Sequence, residues 1–198
     1  MPRPTLYDRQ TALTQAMQLF WSQGYHASSL KQLEQAMDMR PGSLYAAFGN
    51  KRSLFLEALD HYVARLRQTL EINGGGKSRL DVLQEFVRQA VPIDPGPVPA
   101  SACLAVKTLL EATTEEPELL AHADSALARM EAAFEDLLRA AQSNGELRPE
   151  VDCQHLARRI QVQVMGLQSY ARRNVPGSVL QALVDELITL IDQHRASH

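Results

Sequence analysis

The chain has 198 residues, a formal net charge of −3 and 45% hydrophobic residues, enough for one large domain or two small ones with a buried core. That composition excludes a disordered chain, and no apolar run approaches the roughly 18 residues that span a bilayer. The opening "MPRPTLYDRQ" lacks a hydrophobic signal core, and Cys103 and Cys153 make neither a metal spacing nor a disulfide framework. A cytoplasmic protein with no membrane partner, no metal and no cofactor is the expectation.

In chain order, the apolar pattern has the helical period throughout, with no alternating run that would make a strand. The first helix is expected from about Asp8 to Gln23, with Leu13, Ala16, Met17 and Phe20 as its stripe and Gly24 as a left-handed stop. Ser28 or Ser29 caps a second helix carrying Leu30, Leu33 and Met37. "DMRPG" breaks it, and a short third helix follows over Pro41–Phe48. Asn50 caps a fourth, which reaches about Glu71. "NGGGK" (Asn73–Lys77) is a joint. A fifth helix runs from about Ser78 to Val91, and the proline-rich "VPIDPGPVPAS" after it must be a non-helical loop. The sixth covers about Ser101–Thr113. The seventh begins in "TEEPELL", with acids and Pro117 in its first turn, and ends near Gly145. The eighth runs from Asp152 to about Arg173, and the ninth, capped by Ser178, to about His194. The fold class is therefore all-α, with about nine helices.

Charge is unevenly spread along these elements. Residues 1–55 hold six bases (Arg3, Arg9, Lys31, Arg40, Lys51, Arg52) against three acids (Asp8, Glu34, Asp38), whereas the remainder is acidic. The first quarter can face a polyanion while the rest repels it. Two short helices joined by a tight turn in this basic segment read as a helix-turn-helix. A helix that enters the major groove needs small residues in its first turns so that its backbone can approach the bases. Gly42, Ser43, Ala46 and Ala47 meet that need. Leu44 and Phe48, at i and i+4, anchor the opposite face. Tyr45 is turned outward, able to pack on sugar and reach phosphate. Lys51, at the start of the fourth helix beside exposed backbone N–H groups, makes a phosphate site. The DNA-facing set is Ser28, Ser29, Lys31, Arg40, Pro41, Gly42, Ser43, Tyr45, Ala46 and Lys51.

Residues about 8–55 resemble the DNA-binding domain of the TetR (tetracycline-repressor) family of transcriptional regulators. The likeness rests on "ALTQAMQLFWSQGYHASSLKQLEQAMDMRPGSLYAAFGNKRSLFLEAL", in which Phe20, Gly24, Tyr25, Ser28, Leu33, Gly42, Ser43, Leu44, Tyr45, Phe48, Lys51 and Leu54 fit the family pattern in one register. Three positions depart from it. Asp38 replaces the usual turn glycine, Glu34 a small or apolar residue, and Ala47 the histidine before the phenylalanine. The resemblance implies a DNA-binding domain over 1–52 and a ligand-binding and dimerisation domain over 53–198. It also implies a homodimer on a near-palindromic operator, released by a small-molecule effector through a shift of the two reading heads.

For the dimer, the eighth helix offers Leu156, Ile160, Val164 and Leu167 near heptad spacing, and the ninth Leu180, Leu183, Val184, Leu187 and Ile191. Gly166 permits close approach. Candidate liners of an effector pocket are Tyr62, Leu66, Phe86, Leu104, Lys107, Met130, Phe134, Met165 and Tyr170, with Lys107 and Tyr170 as the polar recognition groups. Taken singly, residues of these types are more often ordinary core.

Cys103 opens the sixth helix, where a thiol becomes reactive, and Lys107 one turn on is a partner for the thiolate. That makes a thiol-based electrophile or redox sensor the alternative, against the plainer reading of a small buried hydrophobe. No catalytic motif stands out, so an enzyme is not expected. His61, His122 and His155 lack metal-ligand spacing and leave a metal sensor as a minor option. A helical interaction module without DNA binding is the remaining alternative, and the small-residue helix with its basic flank argues against it.

Overall fold

The computed structural model describes residues 6–72, 77–93 and 102–196. Asn73–Gly76 of the glycine-rich joint and 94–101 of the proline-rich loop lie outside them. Among the described residues there are nine helices and no strand: α1 Leu6–Gln23, α2 Leu30–Ala36, α3 Pro41–Phe48, α4 Lys51–Ile72, α5 Arg79–Ala90, α6 Leu104–Glu111, α7 Pro117–Ser143, α8 Cys153–Tyr170 and α9 Gly177–Asp192. They group into two compact units, Met1–Ala64 with Cys103–Ala126, and Arg65–Ala102 with Leu127–His198, so α4 and α7 each contribute to both.

In the first unit the apolar stripe of α1 forms the core: Leu13, Ala16, Met17 and Phe20 are all buried, together with Leu33 and Met37 from α2. Leu44 and Phe48 of α3, and Leu54, Phe55, Ala58 and Leu59 of α4, complete it. Phe20 meets Phe55 edge-on, ring centroids 4.9 Å apart, and Tyr25 lies 5.0 Å from Phe55. Such aromatic packing contributes beyond its buried area and fixes the angle between α1 and α4. Arg9 is structural: it bridges to Glu57 at 2.7 Å and its guanidinium lies 4.7 Å over the Phe48 ring.

In the second unit, Leu80, Leu83 and Val87 of α5 pack with Phe134 and Leu138 of α7, Ile160 of α8 and Val184 and Ile191 of α9 in one buried core. The Phe86 and Phe134 rings are 5.3 Å apart. The start of α5 is capped twice. Ser78 accepts from the Asp81 N–H, and the Glu146 carboxylate accepts from the Ser78 hydroxyl and the Arg79 N–H. Arg195 joins Asp81 to Asp192, and Leu147 forms an isolated antiparallel bridge with Arg195.

Most helix ends fall where their capping chemistry places them. Ser29, not Ser28, caps α2, in a capping box with Gln32. Asn50 accepts from the Ser53 N–H at 2.9 Å, and Asp152 caps α8 through the His155 N–H at 3.0 Å. Two helices differ from expectation. Helix α9 begins at Gly177 after Pro176, so Ser178 is inside it. Helix α6 is shorter, with Cys103 at its N-cap and extended Ala112 ending it.

Candidate nucleic-acid interface

The candidate reading head is built from the ends of α2 and α3. Asp38 in the turn between them has φ +49°, a left-handed conformation that aspartate tolerates better than most residues. Pro41 occupies the first turn of α3, and Gly49, at φ +77°, ends it. Leu44 and Phe48 are buried, which turns the rest of α3 outward. Arg40, Pro41, Gly42, Ser43, Tyr45 and Ala46 are exposed in one continuous ridge, and Tyr45 stands 46% exposed. A side chain placed at Gly42 would meet nothing within 4 Å, so this face is open on its approach side. Ser29, at the N-cap of α2, and Lys31 within α2 are also exposed.

Lys51, at the first position of α4, is half-buried with its ammonium 4.6 Å over the Tyr25 ring. That burial lowers its pKa from the ordinary lysine value. The ring holds the lysine where the uncompensated N–H groups of α4 begin, an arrangement suited to one phosphate. Ser28 departs from the expected set. It is 1% exposed and donates to the Gly24 carbonyl at 2.6 Å, so it serves the α1–α2 turn and presents nothing outward.

The nine proposed pocket residues divide between the two units. Tyr62, Leu104 and Lys107 belong to the first; Leu66, Phe86, Met130, Phe134, Met165 and Tyr170 belong to the second. Leu66, Leu104, Met130 and Phe134 are buried. Lys107, expected as a polar recognition group, has its ammonium donating to the carbonyls of Trp21 at 3.2 Å and Ser22 at 3.1 Å. Tyr170 faces away from the core of the second unit, stacked under Arg173 and lining an open groove. Tyr62 has the Cys103 thiol beside it, and burial pushes its hydroxyl well above the ordinary tyrosine range. Cys103 is 2% exposed, so it fits the description of a small buried hydrophobe. Burial pushes the Cys153 thiol above the ordinary cysteine value.

The groove that Tyr170 lines has a volume of about 960 Å³ and runs along the outer faces of α8 and α9. Here the heptad stripe needs correction. Leu156, Ile160, Val164, Leu180, Val184, Leu187 and Ile191 are each at most 5% exposed in the single chain, so they form its core. Of the proposed interface set, Leu167, Leu183 and the edge of Leu187 line the groove. Gly166, expected to permit close approach, joins them there, as do Arg159, Gln163, Glu186 and Leu190, which the apolar periodicity had not singled out. The Gln163 Oε1 atom is buried and has no hydrogen-bond partner among the described residues.

Among the described residues, histidine does not gather into a metal centre. His61 pairs with Thr14 at 2.9 Å and His122 with Asp60 at 2.9 Å, both in the first unit, while His155 belongs to the second. No group of three potential metal ligands converges among the described residues. Nor is any described helix long and apolar enough to cross a membrane.

Two family models match the chain. "Bacterial regulatory proteins, tetR family" covers residues 12–58, and "Tetracyclin repressor-like, C-terminal domain" covers residues 76–189. The transcriptional repressor ComR of Escherichia coli is 28% identical over 184 residues, 92% of this chain and 86% of ComR. The transcriptional regulator YezE of Bacillus subtilis is 30% identical over 97% of this chain and 100% of its own length. Among solved structures, a cysteine-substituted variant of the regulator CifR complexed with 26-base-pair double-strand operator DNA is 33% identical. It covers 95% of this chain and 98% of its own, with a TM-score of 0.74.

Proposed function

Since the chain belongs to the TetR family, whose members are transcriptional regulators and not enzymes, we propose that it acts as a homodimeric repressor that leaves its operator when a small molecule binds. The observation that carries this reading is the ridge of α3. Six consecutive or near-consecutive residues, small apart from Arg40 and Tyr45, stand outward while Leu44 and Phe48 fix the helix from behind. A bare ridge of that kind is poor core material and suits close approach to base edges. Arg40, Tyr45 and Lys51 then serve as contacts to base edge, sugar and phosphate. Operator DNA in the CifR structure supports the same partner for this chain.

The groove on α8 and α9 supports the dimer. Its floor is apolar and glycine-bearing, and Arg159 and Glu186 on the same face carry opposite charges. In a two-fold interface each can meet the other's counterpart, and the unpaired Gln163 Oε1 gains a donor. For the effector, the second unit's core around Phe86, Phe134, Met130 and Met165 supplies apolar walls.

A footprint on the DNA upstream of the gene tests the proposal. The expected result is a protected stretch with two-fold symmetry that disappears when a releasing compound from a metabolite panel is added. Protection with no symmetry removes the dimer reading, and protection that no compound relieves removes the effector reading.

A further inference from the structure

Helix α1 ends without a basic residue in its own last turn, although the last carbonyls of a helix have no partner within it and attract a cation. The cation comes from α6. Lys107, whose side chain is only 13% exposed, places its ammonium on the carbonyls of Trp21 and Ser22, 86 and 85 residues away in sequence. One turn further along α6, the Glu111 carboxylate lies against Gly24 in the space that any β-carbon there would fill. Gly24 has φ +91°, so its backbone conformation calls for glycine, and a side chain there would also displace the Glu111 carboxylate. The Gly24 carbonyl in turn accepts the buried Ser28 hydroxyl, and the next residue, Ser29, caps α2. The Lys107 bonds to Trp21 and Ser22 and the Ser28 bond to Gly24 thus fall on adjoining residues at the end of α1, next to the helix pair that presents the α3 ridge. All of them lie within one compact unit.

We infer that Lys107 is a positioning residue for DNA binding: by holding the end of α1 on α6 it sets the direction in which α3 is presented. The inference rests on the proposed two-headed operator complex. A duplex with two half-sites demands both heads in one fixed arrangement, whereas a single half-site does not. If the lysine is removed, each head samples directions incompatible with the second groove, and apparent affinity falls in proportion to the fraction still competent. A lysine that only stabilised the fold would affect both duplexes alike.

The molecule carries its own reporter. Trp21 is the sole tryptophan; its carbonyl is one of the two that Lys107 holds, and its ring meets Tyr62 edge-on at 5.4 Å. The experiment compares wild type, Lys107→Met, Lys107→Gln and Lys107→Arg by Trp21 emission, by amide hydrogen exchange over residues 20–33, and by affinity for the footprinted duplex and for one half-site of it. Lys107→Met should shift the emission and speed exchange. It should weaken binding to the full duplex by about tenfold, with half-site affinity kept within about twofold. Lys107→Gln is the second variant, read in the same way should the first fail to fold. Lys107→Arg, which can donate to both carbonyls, should restore all three readings. Equal losses on the full and half sites, or a full-site affinity unchanged in Lys107→Met, would overturn the inference. If wild type binds neither duplex, the repressor proposal fails, while emission and exchange still decide whether Lys107 holds α1.

Discussion

Replacing Lys51 by alanine separates a phosphate contact from a structural brace. In the structure the ammonium sits 4.6 Å over the Tyr25 ring, so its removal forfeits a cation–π contact of roughly 0.5–1 kcal/mol at such a half-buried site. That costs a few degrees of thermal midpoint at most. The effect on DNA should be larger and of a different kind. Each phosphate neutralised on a duplex contributes about 0.9 to the slope of log K against log salt. With one Lys51 in each subunit of a dimer, the variant's slope should be about 1.8 units shallower. Between about 50 and about 200 mM salt, a fourfold range, wild type should therefore lose about tenfold more affinity than the variant. Anisotropy of a labelled upstream duplex, titrated at four or five salt concentrations, measures both slopes. Non-specific duplexes should show the same flattening, because a phosphate contact carries no sequence information. A slope identical to wild type, with only the thermal midpoint lowered, would show that Lys51 braces Tyr25 and touches no phosphate.

Other consequences can be checked without DNA. Leu183→Glu places a charge in the groove while sparing the core positions of α9, so sedimentation should show a monomer that keeps its helical content; a dimer of unchanged strength would move the interface elsewhere. Neither Cys103 nor Cys153 is accessible, so a bulky aromatic disulfide should label no thiol in the native protein and two after unfolding. Rapid native labelling of Cys103 would revive the thiol-sensor reading. The Asp152 carboxylate is held below its ordinary value chiefly by the His155 N–H. Its stabilisation should be complete above that ordinary value and fade as pH falls through the lower folded value. Asp152→Asn should therefore flatten the acid limb of a melting-temperature profile, and an unaltered limb would refute the linkage.

The reading head was the most legible part of the sequence because its signals are local. Pro41 and Gly49 mark both ends of α3, and Leu44 and Phe48 declare its inner face from their spacing alone. The α8 and α9 stripes were legible as helices but not as surfaces. A heptad of leucine, isoleucine and valine looks the same whether it packs within a subunit or between two, and here most of it is core. The open face is marked instead by Arg159, Gln163 and Gly166, residue types that give no periodic apolar signal. Lys107 was beyond sequence reasoning for another reason. Its partners are two main-chain carbonyls far along the chain, and a carbonyl has no letter in the sequence. Ser28 and Ser29 show the same limit at shorter range: adjacent serines in a capping context are equivalent until the backbone turns one inward and one out.

The central claim, that the α3 ridge reads duplex DNA, is tested most directly by Tyr45→Ala in a binding titration against the upstream duplex and a scrambled duplex at fixed low salt. The account predicts salt-sensitive binding by wild type with preference for the upstream sequence. It predicts a loss of about 1–3 kcal/mol for each base or sugar contact removed in the variant, concentrated on the upstream duplex, with unchanged helical content. Wild-type binding to neither duplex at low salt, or a variant indistinguishable from wild type on both, would contradict it.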